Sequence, residues 1–105
     1  LKQMGVKAGI PDLCLPVPMG VYSGLYIEMK YDTGRLEDSQ KKMLKALAAA
    51  GHYCTVCYGA EEAIRVLQEY INLKKIDTGN REDAMSEQNL MIRKNGKVKC
   101  IIFKE

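Results

Sequence analysis

No run of this sequence is apolar for anything near the roughly twenty residues that cross a bilayer, and no basic segment followed by an apolar one and a cleavage site opens it. The expectation is therefore a soluble, intracellular protein. Histidine is nearly missing as well. The single one, His52, opens a strand-like run, reads as a surface or core residue and leaves little room for imidazole chemistry. Cysteine is present four times, at Cys14, Cys54, Cys57 and Cys100, but without a convergent set. Cys54 and Cys57 have C-x-x-C spacing inside His52-Tyr53-Cys54-Thr55-Val56-Cys57-Tyr58, which reads as a strand. Residues three apart on a strand face opposite ways, so the thiols read as small buried hydrophobes, not as a zinc or redox pair. Neither sign of charge dominates: sixteen Lys and Arg against thirteen Asp and Glu give +3. That balance fits contact with a polyanion without demonstrating it. An apolar fraction of 47% with 28% charged residues excludes disorder along the whole chain, and 105 residues suffice for one small domain.

What the sequence does contain is a charged trio at suggestive positions. Ile10-Pro11-Asp12 leads into Leu13-Cys14-Leu15, a Pro/Gly-rich turn follows, and Leu25-Tyr26-Ile27 runs into Glu28-Met29-Lys30. Two short strands paired antiparallel about Gly20 would set Asp12 opposite Glu28. Directly opposed residues share a face with Cβ atoms roughly 5 Å apart, and two carboxylates there repel unless something positive lies between them. A divalent cation is the natural candidate. Because i and i+2 share a face, Lys30 joins Glu28 while Leu25, Ile27 and Met29 turn to the core. The plainer alternative is a surface hairpin whose charges are only solvated, with Lys30 neutralising Glu28.

A loop at Tyr31-Asp32-Thr33-Gly34-Arg35 precedes a helix that Asp38 or Ser39 would cap and Gly51 would end. Gln40, Met43, Leu44 and Leu47 fall on one stripe, with Lys41, Lys42 and Lys45 elsewhere. An inward amide needs a polar partner, and the Glu28/Lys30 face is the nearest. Strand 25–30, helix 38–50 and strand 53–58 make a β-α-β unit with parallel strands. After Gly59 a second helix buries Ala63, Leu67, Tyr70 and Ile71 and leaves Glu61, Glu62, Arg65 and Glu69 largely outside. The fold class is α/β, a mixed central sheet flanked by helices. Residues 72–89 read as a polar linker or loop. Residues 90–105 read as an extra C-terminal β-hairpin about Asn95-Gly96, which must dock on the core or on a partner subunit because an isolated hairpin is barely stable.

Met4-Gly5-Val6-Lys7-Ala8-Gly9-Ile10-Pro11-Asp12-Leu13, Tyr26-Ile27-Glu28-Met29-Lys30, Gly34-Arg35-Leu36 with Ser39-Gln40, and Val56-Cys57-Tyr58-Gly59-Ala60-Glu61-Glu62-Ala63-Ile64 together resemble the VRR-NUC domain. This is the virus-type replication-repair nuclease branch of the PD-(D/E)xK superfamily, and the likeness spans about residues 4–71. It implies a restriction-endonuclease-like core over residues 1–71, lacking the usual N-terminal helix, with its additional acidic residue, and the first strand. It also implies Mg²⁺- or Mn²⁺-dependent hydrolysis of DNA in replication, recombination or repair. Asp12, Glu28 and the Met29 backbone carbonyl would hold the ion, Lys30 would orient the attacking water, and Gln40 would hold Lys30 or the water. Lys7, Arg35, Lys41 and Lys42 are candidate DNA contacts by charge and position. The resemblance further points to a homodimer acting on Holliday junctions or flaps in the cytoplasm of a bacterial or phage-infected cell. Either the sequence is truncated ahead of Leu1, or the C-terminal hairpin or a neighbouring subunit supplies the missing parts, and the second is the expectation. A catalytically inactive DNA-binding or assembly module of the same fold is the alternative.

Overall fold

The alternation of Leu25, Ile27 and Met29 with Tyr26, Glu28 and Lys30 produces the strand around which everything else is arranged. The computed structural model describes residues 1–3, 8–73, 90–94 and 97–101. In it β1 spans Lys2–Gln3, β2 Leu13–Leu15 and β3 Leu25–Lys30. β2 and β3 pair antiparallel, Leu13 with Ile27 and Leu15 with Leu25. One step further along the same register carries Asp12 to the level of Glu28. β1 lies antiparallel to β2. Two residues are too few for alternation to mark, which is why the sequence reading expects no strand ahead of the glycine-rich lead-in. Residues 4–7 of that lead-in, Lys7 among them, lie outside the described residues.

Helix α1 spans Asp38–Ala49. Its N-cap is Glu37, not Asp38 or Ser39: Glu37 is extended, and Glu37 and Gln40 form a capping box in which each closes onto the other's backbone. Asp38 is already the first helical residue. At the other end Gly51, at φ +99°, turns the chain out of the helix as expected. The strand that follows, β4 (Tyr53–Tyr58), lies parallel to β3 from Leu25↔Tyr53 to Lys30↔Tyr58. On one face of the sheet Leu44 and Ala48 of α1 bury against Cys54 and Val56. Full burial of a side chain such as Leu44 contributes roughly 1.5–3 kcal/mol.

Helix α2 spans Ala60–Ile71 and covers the opposite face, where Val66 and Tyr70 pack against Leu25, Ile27, Tyr53 and Cys57. Its inward stripe differs from the expected one in two places. Glu62 is only 6% exposed and joins Val66 and Tyr70 at spacings of four, and Ile71, expected inward, is 51% exposed. The stripe is thus rotated by part of a turn, and Arg65 meets the buried Glu62 carboxylate at 3.7 Å.

Beyond α2, residues 74–89 of the expected linker lie outside the described set. β5 (Leu90–Lys94) then lies parallel to β4, and β6 (Lys97–Ile101) antiparallel to β5. Residues 95–96 and 102–105 of the expected hairpin also lie outside it. The six strands are ordered β1-β2-β3-β4-β5-β6 in one mixed sheet with helices on both faces. Arg93 fastens β5 to α2: the residue is 7% exposed, and its guanidinium meets Glu69 at 2.7 and 3.1 Å and reaches the Tyr53 hydroxyl at 3.3 Å. Among the described residues no helix is long and apolar enough to cross a membrane.

Candidate active site

Four of the residues singled out in the sequence converge at the carboxyl end of β3. Asp12 bends across from β2 and accepts the Met29 N–H on Oδ2 at 2.8 Å, so its carboxylate caps the backbone beside Glu28. Glu28 is 3% exposed, beneath the first turn of α1. Gln40 Nε2 donates to Glu28 Oε1 at 3.2 Å, while Gln40 Oε1 accepts from Lys30 Nζ at 2.9 Å and from the Glu37 N–H at 2.9 Å. Two donors on one oxygen set the orientation of the amide: its carbonyl faces the ammonium and its NH₂ faces the carboxylate.

The electrostatics of this cluster are unbalanced around Glu28. Its Oε2 is buried without a hydrogen-bond donor. Burial, reinforced by hydrogen bonding to and repulsion from the Asp12 carboxyl, pushes the Glu28 carboxyl up to about 7; Lys30 opposes this and Glu37 adds to it. Two carboxyls this close must share a proton or a cation. Among the described residues no group of three or more His, Cys, Asp or Glu comes together. Among the described residues, Asp12 and Glu28 are the carboxylates placed to hold an ion here, and backbone carbonyl, water or substrate could fill its remaining positions.

The other candidates divide. Arg35, Lys41 and Lys42 are exposed. His52 lies at the opposite end of the parallel strands, with its ring edge-on to Tyr26 at 5.0 Å, and burial lowers its pKa. Cys54 and Cys57 do face opposite sides of β4, and burial pushes their thiols up to about 12 and about 11. Thiolate ligation or redox chemistry has no foothold there. Two neighbours escape the sequence reading. Glu37 holds Gln40 through its backbone, and a capping-box spacing, Glu37-x-x-Gln40, was the available signal. Tyr58 stands beside Lys30 on the next strand and donates its hydroxyl to the Gly34 carbonyl, a contact no local motif announces.

Gly9 presses the lead-in loop against this cluster. A Cβ there would lie 2.7 Å from the Ser39 carbonyl oxygen, and its φ is +86°. Glycine thus lets the chain pass against the start of α1 immediately before Asp12. On the other side of Asp12 an apolar cavity of about 560 Å³ runs between β1–β3 and α2. Among the described residues its lining is mostly apolar, with Gln3, Asp12 and Tyr31 as the polar members.

Comparison with known proteins places the chain in a family. The family model of the VRR-NUC domain matches residues 1–61. A solved structure described as a VRR_NUC domain protein is 40% identical, with a TM-score of 0.63; the match covers 70% of this chain and 61% of that one. The chain thus spans less than two thirds of that structure's length. No curated protein sequence matches the chain. With its family model covering more than half of the sequence, from β1 through the start of α2, the chain belongs to the VRR-NUC domain family, a family of nuclease type.

Proposed function

We propose that this chain hydrolyses DNA phosphodiester bonds with a divalent cation, Mg²⁺ or Mn²⁺, on a PD-(D/E)xK core. The observation that carries the reading is the buried, donorless Glu28 Oε2 beside Asp12, with the Lys30 ammonium held next to them by Gln40. Asp12 and Glu28 offer the hard oxygens that such an ion prefers, and the Met29 carbonyl, water and a phosphate oxygen would complete the set. When bound, the ion supplies Lewis acidity to the phosphoryl group and a lowered pKa to a coordinated water.

The chain's own residues do the rest. Lys30 presents a fixed positive charge where negative charge develops on the phosphate and helps orient the attacking water. Gln40 holds that ammonium on its carbonyl and holds Glu28 on its amide, so neither has to reorganise when substrate arrives. Arg35, Lys41 and Lys42 are suited to contact flanking phosphates, which position the duplex without reading its sequence. Homodimers acting on flapped or four-way DNA are the form of the activity proposed.

Incubation with supercoiled, linear, flapped and four-way DNA, with Mg²⁺, Mn²⁺ or chelator, tests the reading against Lys30→Ala and Asp12→Ala. Cutting that needs the ion and both residues is expected, most rapidly on branched DNA. If no substrate is cut in a metal- and Lys30-dependent manner, the enzyme assignment fails. Light scattering at concentrations where the protein is folded tests the dimer, and a monomeric mass refutes it.

A further inference from the structure

The parallel strands β3, β4 and β5 end level with one another beside the reactive pair. Lys30 is the register partner of Tyr58, and Cys57 that of Arg93, so Lys94 comes level with Tyr58 at the next step. Residues at one level of neighbouring strands share a face. Lys30, Tyr58 and Lys94 therefore form a row across the sheet, spanning roughly 10 Å of backbone over two strand spacings. The Lys94 ammonium stands over the Tyr58 ring, 4.9 Å from its centroid. Just past the strand ends, Tyr31, Asp32 and Gly59 join Tyr58 and Lys94 around a cavity of about 300 Å³. Tyr31 is 66% exposed, and Gly59 adopts φ +93° with nothing within 4 Å of where a Cβ would stand.

We infer that this cavity is a subsite for an unpaired nucleotide of the DNA substrate, next to the scissile phosphate. The inference rests on the nuclease reading and adds the residues that take the unpaired part of the DNA. Tyr31 supplies a free aromatic surface on which a base stacks, Lys94 supplies the contact to a neighbouring phosphate, and Asp32 accepts from a base's exocyclic amine. A bare anion is the wrong occupant, because Asp32 lines the cavity and Glu61 and Glu62 stand in the first turn of α2. An apolar ligand would strand both an ammonium and a carboxylate. A nucleotide combines a flat ring, a donor edge and a negative charge, and so meets all three groups. Bases inside a duplex are stacked on both faces and are not available to Tyr31. The volume lies at the lower end of the roughly 300–1,000 Å³ typical of small-molecule pockets.

Fluorescence anisotropy with Ca²⁺ replacing Mg²⁺ tests this, using a flapped duplex and a fully paired duplex of equal length. Tyr31→Ala is expected to weaken flap binding about 5- to 150-fold, to leave paired DNA within about twofold, and to be rescued by Tyr31→Phe. Lys94→Ala is expected to lower the dependence of log affinity on log salt by about one. Equal losses on both DNAs, no loss on the flap, or equal wild-type affinity for the two would overturn the subsite. Cleavage assayed alongside with Mg²⁺ separates the two claims. Cutting that is indifferent to Tyr31 refutes the subsite and leaves the nuclease standing. Tyr31-dependent flap binding without any cutting refutes the nuclease and keeps the subsite.

Discussion

Replacing Glu28 by glutamine should make the metal-free protein more stable at neutral and alkaline pH while removing its response to the ion. Glu28 is 3% exposed, its Oε2 has no donor, and its pKa is pushed up from 4.5 to about 7 by burial first and by Asp12 second. Between those two values the folded chain holds a proton that the unfolded chain has released. Stability therefore declines as pH rises through this window, and the full cost is present above it. At roughly 1.4 kcal/mol per pH unit, the gap amounts to about 3 kcal/mol. Glutamine keeps the oxygen that accepts from Gln40, and its NH₂ can donate towards Asp12. Glu28→Gln should recover most of that cost, raising the melting temperature at pH 8 by about 10–20 °C for a domain of this size. At pH 4.5 and below the two proteins should melt nearly together. Circular-dichroism melts at pH 4.5 and pH 8, in chelator, measure the difference. Added Mn²⁺ should raise the wild-type transition at pH 8 and leave the variant's unchanged, because only the ionised carboxylate binds the ion. A variant less stable than wild type at pH 8, or a wild type that gains stability relative to the variant as pH rises from 4.5 to 8, would refute the account of Glu28.

Gln40→Ala removes the acceptor of both Lys30 and the Glu37 N–H, so turnover should fall at saturating substrate by more than KM changes, with a loss of about 1 kcal/mol in urea unfolding; an unchanged turnover number would show that Gln40 holds nothing that reacts. Gly9→Ala sets a Cβ 2.7 Å from the Ser39 carbonyl in a left-handed conformation, and should cost about 1–3 kcal/mol in the same assay; a neutral result would mean the loop is not seated on α1. The thiols of Cys54 and Cys57, pushed up to about 12 and about 11, should resist an aromatic disulfide reagent at pH 8 until the protein is denatured. Rapid native labelling of either would contradict their burial.

Much of the framework was readable because an error would have been costly to the fold. A one-residue slip of β3 would turn Leu25, Ile27 and Met29 to the other face, and their alternation together with the turn about Gly20 brings Asp12 level with Glu28. The same alternation puts Gln40, the one amide on an apolar helical stripe, over the charged face. What stayed hidden lacks a periodic signature. Glu62 reads as a solvent-facing charge by residue type, yet it is buried because α2 is turned to seat Val66 and Tyr70. Glu37 is not among the preferred capping residues, so Asp38 and Ser39 drew attention first. Arg93 stands among lysines at a strand end but is buried because Glu69 and Tyr53, both remote in sequence, receive it. Tyr31, Asp32, Tyr58 and Lys94 come from three separate segments and are united only by the level at which the parallel strands stop.

The position of β4 has a consequence for how the chain is made. It is hydrogen-bonded to β3 on one side and β5 on the other and is sandwiched between α1 and α2, but β5 begins thirty-two residues after β4 ends. During synthesis the ribosome delivers the apolar Tyr53–Tyr58 ribbon well before its second neighbour, leaving one flank open to a foreign strand. The Arg93–Glu69 clasp closes that vulnerability only once β5 has emerged. Shortened products ending near Leu73 are therefore expected to clump rather than to fold as a smaller domain.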